Sequence, residues 1–262
     1  MDTVYVLGAG ASAAAAKDNK RVLGGDFLRL AFEKGRGDPR LESVKEFVQE
    51  FFHHDASAQH ILPTAEEVLS AVDIALDRGE SFSHKYTVSR LQELRRNSVF
   101  LIYKVLAEAY QELGNNVTTR FVAKLGPRST VISFNYDIIV DNALKKRFGP
   151  NLDYGFEYRP IYPLSGRLDF VVPNEVKLYK IHGSLNWAAC PTCGVVYIAD
   201  PSLGKIAGQT FDLGMQCMEA NHAPLEALLI TPTNLKSYSR PQLSMIWRRA
   251  ERALRDASRV VF

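Results

Sequence analysis

The feature that most constrains this chain lies at its start. Val4-Tyr5-Val6-Leu7 is a short apolar run of β-branched and aromatic residues, which reads as a strand buried on both faces. It runs directly into Gly8-Ala9-Gly10-Ala11-Ser12 and then into Ala13 to Ala16, a strong helix former. Strand, glycine turn and helix in immediate succession predict an α/β nucleotide-binding unit. A side chain on Gly8 or Gly10 would keep the backbone away from a diphosphate. The helix that follows turns its unpaired N–H groups and positive dipole end toward the same anion. A tight strand-to-helix turn without a ligand would use the same residues, because the third glycine of the dinucleotide fingerprint is absent.

The next hundred or so residues, from about Asp26 to Leu125, read as helical. Leu41, Val44, Phe47, Val48 and Phe51 share one helix face. Thr64-Ala65-Glu66-Glu67 looks like a capping segment ahead of the stripe Val68, Leu69, Val72 and Leu76. Leu91, Leu94, Val99, Ile102, Leu106 and Tyr110 mark a third helical segment, ending near Gly114. Strand character returns at Thr130–Phe134 and again at Val176–His182, Val195–Ile198 and Ala227–Thr231. A helix is expected from about Tyr136 to Arg147, ended by Gly149-Pro150. Another is expected along Leu243, Ile246, Trp247, Ala250 and Leu254. Arg259-Val260-Val261-Phe262 reads as the start of one more buried strand, so the sequence is expected to be a fragment of a longer protein.

With 262 residues, 46% of them hydrophobic and 23% charged, the chain can bury a sizeable core as one large domain, or one domain plus a module. That balance excludes a disordered, collagen-like or coiled-coil chain, and no apolar stretch is long enough for a membrane span. A net charge of +3 does not by itself point to nucleic acid. Arg248, Arg249, Arg252 and Arg255 line one helix face, which suits an interface, nucleic acid or plain solvation. Three cysteines do not make a disulfide framework, and Met1-Asp2-Thr3 has no signal-like character. A cytoplasmic protein is expected.

Three segments carry candidate chemistry. Ser133-Phe134-Asn135-Tyr136-Asp137 follows a buried strand, where open α/β sheets bind ligands. Asn135 and Asp137 suit a ribose hydroxyl and a leaving base, and they suit a helix N-cap equally well. Lys180-Ile181-His182-Gly183-Ser184-Leu185-Asn186-Trp187 sets a histidine at another strand end, with little bulk after it. An imidazole with the ordinary pKa of ~6.5 accepts a sugar hydroxyl proton at neutral pH. A hydrogen-bonded core histidine is the alternative. Cys190-x2-Cys193, held by Pro191 and Gly194 in a knuckle-like turn, is followed by Cys217 and His222. These residues offer a tetrahedral zinc site, structural because four protein ligands leave no open position. Buried thiols or a redox Cys-x-x-Cys pair are the other readings.

Gly-Ala-Gly-x-Ser after the first strand, Asn-x-Asp after a middle strand and His-Gly-Ser before Cys-x-x-Cys follow the order seen in sirtuins. Phe134-Asn135-Tyr136-Asp137 and His182–Trp187 more closely resemble the sirtuin-like NAD hydrolases of bacterial defence systems. The resemblance covers roughly residues 3–34, 128–147, 176–200 and 226–262. It implies a Rossmann-like, mostly parallel sheet with helices on both faces, an inserted helical layer and a small zinc-knuckle module. The implied boundaries are 1–35 with 126–262 for the nucleotide domain, 36–125 for the helical module and 188–224 for the zinc insertion. Gly8, Ala9, Gly10 and Ser12 would line the NAD pyrophosphate, with Gly183, Ser184, Thr231 and Thr233 completing the nucleotide site. Among the implied catalytic residues, Asn135 would contact the nicotinamide ribose and position water, Asp137 would orient the nicotinamide side or support Asn135, and His182 would act as general base. Cys190, Cys193, Cys217 and His222 would hold the zinc. The implied activity is NAD+ cleavage to nicotinamide and ADP-ribose in antiphage defence, gated by self-association or an activating partner. Two departures separate the chain from the deacylases: Phe134 stands where they carry Gln, and Leu228–Thr233 lacks their Phe-Gly-Glu strand, with Pro232 removing a backbone donor. A nucleotide-binding sensor without turnover is the alternative to an enzyme, ahead of a deacylase.

Overall fold

The structure, a computed structural model, describes residues 2–15, 27–34, 37–53, 62–109, 117–126, 128–161, 173, 175–199, 216–220, 223–233 and 240–262. Its strands are β1 Thr3–Leu7, β2 Ser129–Ser133, β3 Tyr158–Ile161, β4 Lys177–Lys180, β5 Gly183–Ala189, β6 Val196–Ala199, β7 Glu226–Leu229 and β8 Arg259–Val261. Its helices are α1 Ala9–Ala15, α2 Phe27–Lys34, α3 Pro39–Phe51, α4 Ala65–Arg78, α5 Val88–Ala109, α6 Val117–Val122, α7 Ile139–Phe148 and α8 Pro241–Asp256. No helix among the described residues is long and apolar enough to cross a membrane.

Contacts divide the chain into two compact units. One comprises Met1–Arg21, Tyr110–Ile230 and Tyr238–Phe262; the other comprises Val22–Ala109 and Thr231–Ser237. The helical pattern starts at about Asp26 and the resemblance bounds the module at 36–125, whereas contacts group Val22–Ala109 with Thr231–Ser237 and place Tyr110–Ile230 in the sheet-bearing unit.

The first unit is α/β. Its main sheet runs β4-β2-β1-β8, with every neighbouring pair parallel, and is flanked by helices. Parallel strands need coverage on both faces, and β2 accordingly is buried at every position. The register sets Leu7 opposite Ser133 and Ser133 opposite Lys180, so three neighbouring strands end level with one another. From β4 the chain turns through Ile181-His182 into a second sheet, ordered β3-β6-β5-β7, where β5 lies antiparallel to both neighbours. A core of Val131, Ile132, Leu144, Leu178, Trp187, Ile198, Leu228 and Ile246 joins the elements of this unit. Trp187 is fully buried, with Tyr154 and Phe156 edge-on to it at centroid distances of 5.1 and 4.9 Å.

Two strands escape a periodicity reading. β5 is buried at all seven positions, so it shows no alternation, and Gly183, Ser184 and Asn186 interrupt its apolar run. β3 contains Pro160, which demotes a strand on propensity. Among the described residues it pairs with β6 and lies at the edge of its sheet, where a proline is tolerated.

The helical unit packs α5 against α2, α3 and α4. Its anticipated cap is present: Thr64 Oγ1 accepts from the Glu67 N–H at 3.1 Å, and the Thr64 N–H donates to Glu67 Oε2 at 2.6 Å. Phe47, Phe51, Phe82 and Tyr86 form an aromatic cluster, with the Phe51 and Phe82 rings stacked at 4.5 Å.

Candidate functional site

Because β1, β2 and β4 are parallel and end in register, the residues just after them gather at one carboxyl edge. Gly8 follows β1, Asn135 lies beyond β2 and His182 lies beyond β4. Neighbouring strands are ~4.8 Å apart, so the three backbones span about 10 Å. The segments are also bonded to one another. Asn135 Nδ2 donates to the Gly8 carbonyl at 2.8 Å, the Phe134 N–H donates to the Leu7 carbonyl at 2.9 Å, and the Ile181 N–H donates to the Ser133 carbonyl at 3.1 Å.

The glycine turn is open. Gly8, Ala9 and Gly10 are exposed, and a Cβ on either glycine would meet nothing within 4 Å among the described residues. Packing therefore does not demand glycine there, whereas close approach by a ligand would. Ser12 faces the other way: it is buried, and its Oγ donates to Asp137 Oδ2 at 2.5 Å. The other oxygen of Asp137 accepts from the Ile139 N–H at 3.1 Å, at the start of α7. This explains why α7 begins at Ile139 rather than at the expected Tyr136: Asp137 closes a side-chain turn first. The carboxylate thus ties the glycine-turn helix to α7 beneath Asn135.

Asn135 itself is half-buried, as is His182. The imidazole lies edge-to-face with Phe134 at 5.3 Å and within 6.2 and 6.3 Å of the Tyr136 and Trp247 rings. Phe134, at 40% exposure, is one of the large apolar side chains left on the surface. The remaining anticipated nucleotide contacts lie deeper. Gly183 has φ +83°, and a Cβ there would come within 2.2 Å of the Leu228 carbonyl oxygen, so this glycine is required by the approach of β7. Ser184 is buried, with its Oγ donating to Asn186 Oδ1 at 2.7 Å. Thr231 and Thr233 are buried and group with the helical unit, where Arg95 reaches Thr231 Oγ1 at 3.5 Å.

Composition and periodicity missed the group under this edge. Lys180 is fully buried, 3.0 Å from Asp141 Oδ2, while Tyr154 donates to Asp141 Oδ1 at 2.9 Å. The signal was a lysine closing the apolar run Leu178-Tyr179-Lys180-Ile181, since a charge in such a strand requires a partner.

The turn between β5 and β6 holds two of the thiols, and the segment at Cys217 brings the third. Cys190, Cys193 and Cys217 bring their sulfurs within 4.8 Å of one another, with Cys193 and Cys217 at 3.5 Å. A tetrahedral zinc with Zn–S ~2.3 Å has S···S edges of about 3.8 Å, so the three sulfurs fit such an ion. His222 lies outside the described residues. Burial raises the Cys217 thiol, but hydrogen bonds from Tyr197, from the Glu219 and Ala220 N–H groups and from Cys193 outweigh it and bring the pKa to about 7. Burial leads the opposite shift at Cys193, whose thiol is pushed up to about 11. One sulfur is therefore disposed to ionise near neutrality, the state in which a thiol binds metal. Arg159 of β3 pairs with Glu219 at 2.6 Å and anchors the Cys217 loop.

No protein-family model and no curated protein sequence matches this chain. Geometry defines it as an α/β protein with a parallel-sheet carboxyl edge and a three-thiol hairpin able to hold a metal ion.

Proposed function

We propose that the chain is a sirtuin-like NAD glycohydrolase that cleaves NAD+ with water to nicotinamide, ADP-ribose and a proton. The observation that carries this reading is the convergence of Gly8, Asn135 and His182 on one sheet edge through strand register. In this reading the open turn Gly8-Ala9-Gly10 takes the diphosphate, and Asn135 holds the nicotinamide ribose and the attacking water. His182 is the base that polarises a ribose hydroxyl. Nicotinamide leaves as a neutral group, so the site needs no strong acid. The ribose passes through an oxocarbenium-like state, whose charge a polarised hydroxyl can share. Asp137 keeps the positions of Ser12 and α7 fixed rather than reacting. A zinc ion on Cys190, Cys193 and Cys217 would brace the hairpin and takes no part in the chemistry. Regulated NAD depletion in antiphage defence, triggered by self-association or a partner, is the setting this reading suggests.

The test is incubation of the purified chain with NAD+, with and without candidate activators, followed by mass analysis of products. Equal nicotinamide and ADP-ribose, lost in Asn135→Ala and His182→Ala variants of unchanged circular dichroism, supports the assignment. Cleavage retained in both variants refutes a catalytic role for Asn135 and His182. One observation favours a sensor instead: the Asn135 amide is already donated to the Gly8 carbonyl. Nucleotide binding by calorimetry with no turnover under any trigger would select that reading, and a requirement for an acyl-lysine peptide would select a deacylase.

A further inference from the structure

We infer that Lys180 is a positioning residue whose buried ammonium holds the carbonyls of Tyr136 and Asp137, and with them the turn that presents Asn135. The inference rests on the glycohydrolase reading for its effect on turnover, but not for its structural content.

The turn 134–138 lies between β2 and α7 and belongs to neither, yet the proposed chemistry needs Asn135 fixed to a fraction of an ångström. Lys180 supplies the fixing from below. Its Nζ donates to the Asp137 carbonyl at 2.5 Å and reaches the Tyr136 carbonyl at 3.5 Å, with Asp141 Oδ2 at 3.0 Å as counter-charge. Both Lys180 and Asp141 are fully buried. A neutral leucine or methionine pair would fill this space with less desolvation, so the ion pair is costly as a mere packing device. It does something an apolar pair cannot: the ammonium's donors converge on two successive carbonyls that would otherwise lack that charge-assisted bond. The same turn is gripped at other points too: the Tyr136 carbonyl also accepts from the Leu185 N–H at 2.9 Å, the Tyr136 hydroxyl donates to the Ile230 carbonyl at 2.6 Å, and Asn135 bonds Gly8. Lys180 brings a cation to the turn's backbone carbonyls. It also lies two positions before His182 on the same strand end, so one element both steadies the Asn135 turn and delivers the imidazole.

The experiment compares the wild-type chain with Lys180→Met/Asp141→Leu, which removes both charges together and leaves neither buried alone. The double variant is expected to melt within about 5 °C of wild type. Amide hydrogen exchange at Asn135–Ile139 should quicken about tenfold or more, while β2 and β4 stay protected. NAD+ turnover should fall at least about tenfold in kcat, with KM within about threefold. Wild-type protection of the turn in the double variant overturns the inference, as does loosening spread equally through β2 and β4. If the double variant does not fold, Asp141→Asn decides. There Lys180 keeps both carbonyls, so protection within about threefold of wild type upholds the inference and a tenfold loss overturns it. A wild-type chain that cleaves no NAD+ would remove the functional reading, leaving the exchange comparison to judge Lys180 by itself.

Discussion

The carboxyl edge of the parallel sheet and the thiol hairpin are built by opposite strategies within one unit. At the hairpin, Cys190 and Cys193 are brought together by a turn of the chain itself, and only Cys217 comes from farther along. At the sheet edge nothing is local: Gly8, Asn135 and His182 arrive from three strands and depend on register for their proximity. The hairpin's geometry is thus written in a short motif, and the edge's geometry in the pairing of β1, β2 and β4. A perturbation of the hairpin should show in metal content, whereas one at the edge should show in turnover or nucleotide affinity.

The largest effect is expected at the edge. His182→Ala should lower NAD+ cleavage by ~10²–10⁴-fold, the usual contribution of a positioned base, with thermal unfolding unchanged; progress curves of nicotinamide release check it. A pair of glycine substitutions sharpens the contrast between structural and ligand-facing positions. Gly183→Ala should cost about 3 kcal/mol in denaturant unfolding, because its Cβ would drive into the β7 backbone. Gly8→Ala meets no such obstacle and should leave unfolding within about 0.5 kcal/mol while weakening nucleotide affinity in calorimetry. At the hairpin, Cys217→Ser should reduce bound zinc from about one equivalent to less than half, read by metal analysis, because only two of the three neighbouring thiols remain.

The helical unit offers a smaller, pH-dependent effect. Burial, then the hydrogen bond to Glu50, raises the Tyr86 phenol to about 12. The folded state therefore holds that proton more tightly than the unfolded chain, whose tyrosine titrates near ~10. Its contribution is complete below pH ~10 and fades as pH climbs toward ~12, so Tyr86→Phe should flatten the alkaline limb of the stability profile. Thr64→Ala should cost about 1 kcal/mol by opening the capping box, again in denaturant unfolding.

Elements with a strong local signal were legible in the sequence. β1, β2 and the helices over Leu41–Phe51 and Val68–Leu76 follow from apolar spacing, and Thr64 with Glu67 announces its cap. The α/β class followed from the first few residues. What stayed hidden was long-range. Burial on both faces leaves β5 without alternation, and Pro160 disguises β3 because an edge position forgives it. Asn135, His182 and the cysteines could be nominated by residue type and position. That Ser12 and Ser184 turn their hydroxyls inward, and that Lys180 and Asp141 pair beneath the turn, depends on tertiary partners that no window of sequence contains.

β5 begins immediately after His182 and ends immediately before Cys190. The six residues after Gly183 span at most about 20 Å. Enclosed on every side and stitched to both neighbours, such a rod cannot slip lengthwise without dislodging Trp187 from its aromatic socket. The imidazole is therefore moored at one end of a stiff tether whose other end is tied off among sulfurs.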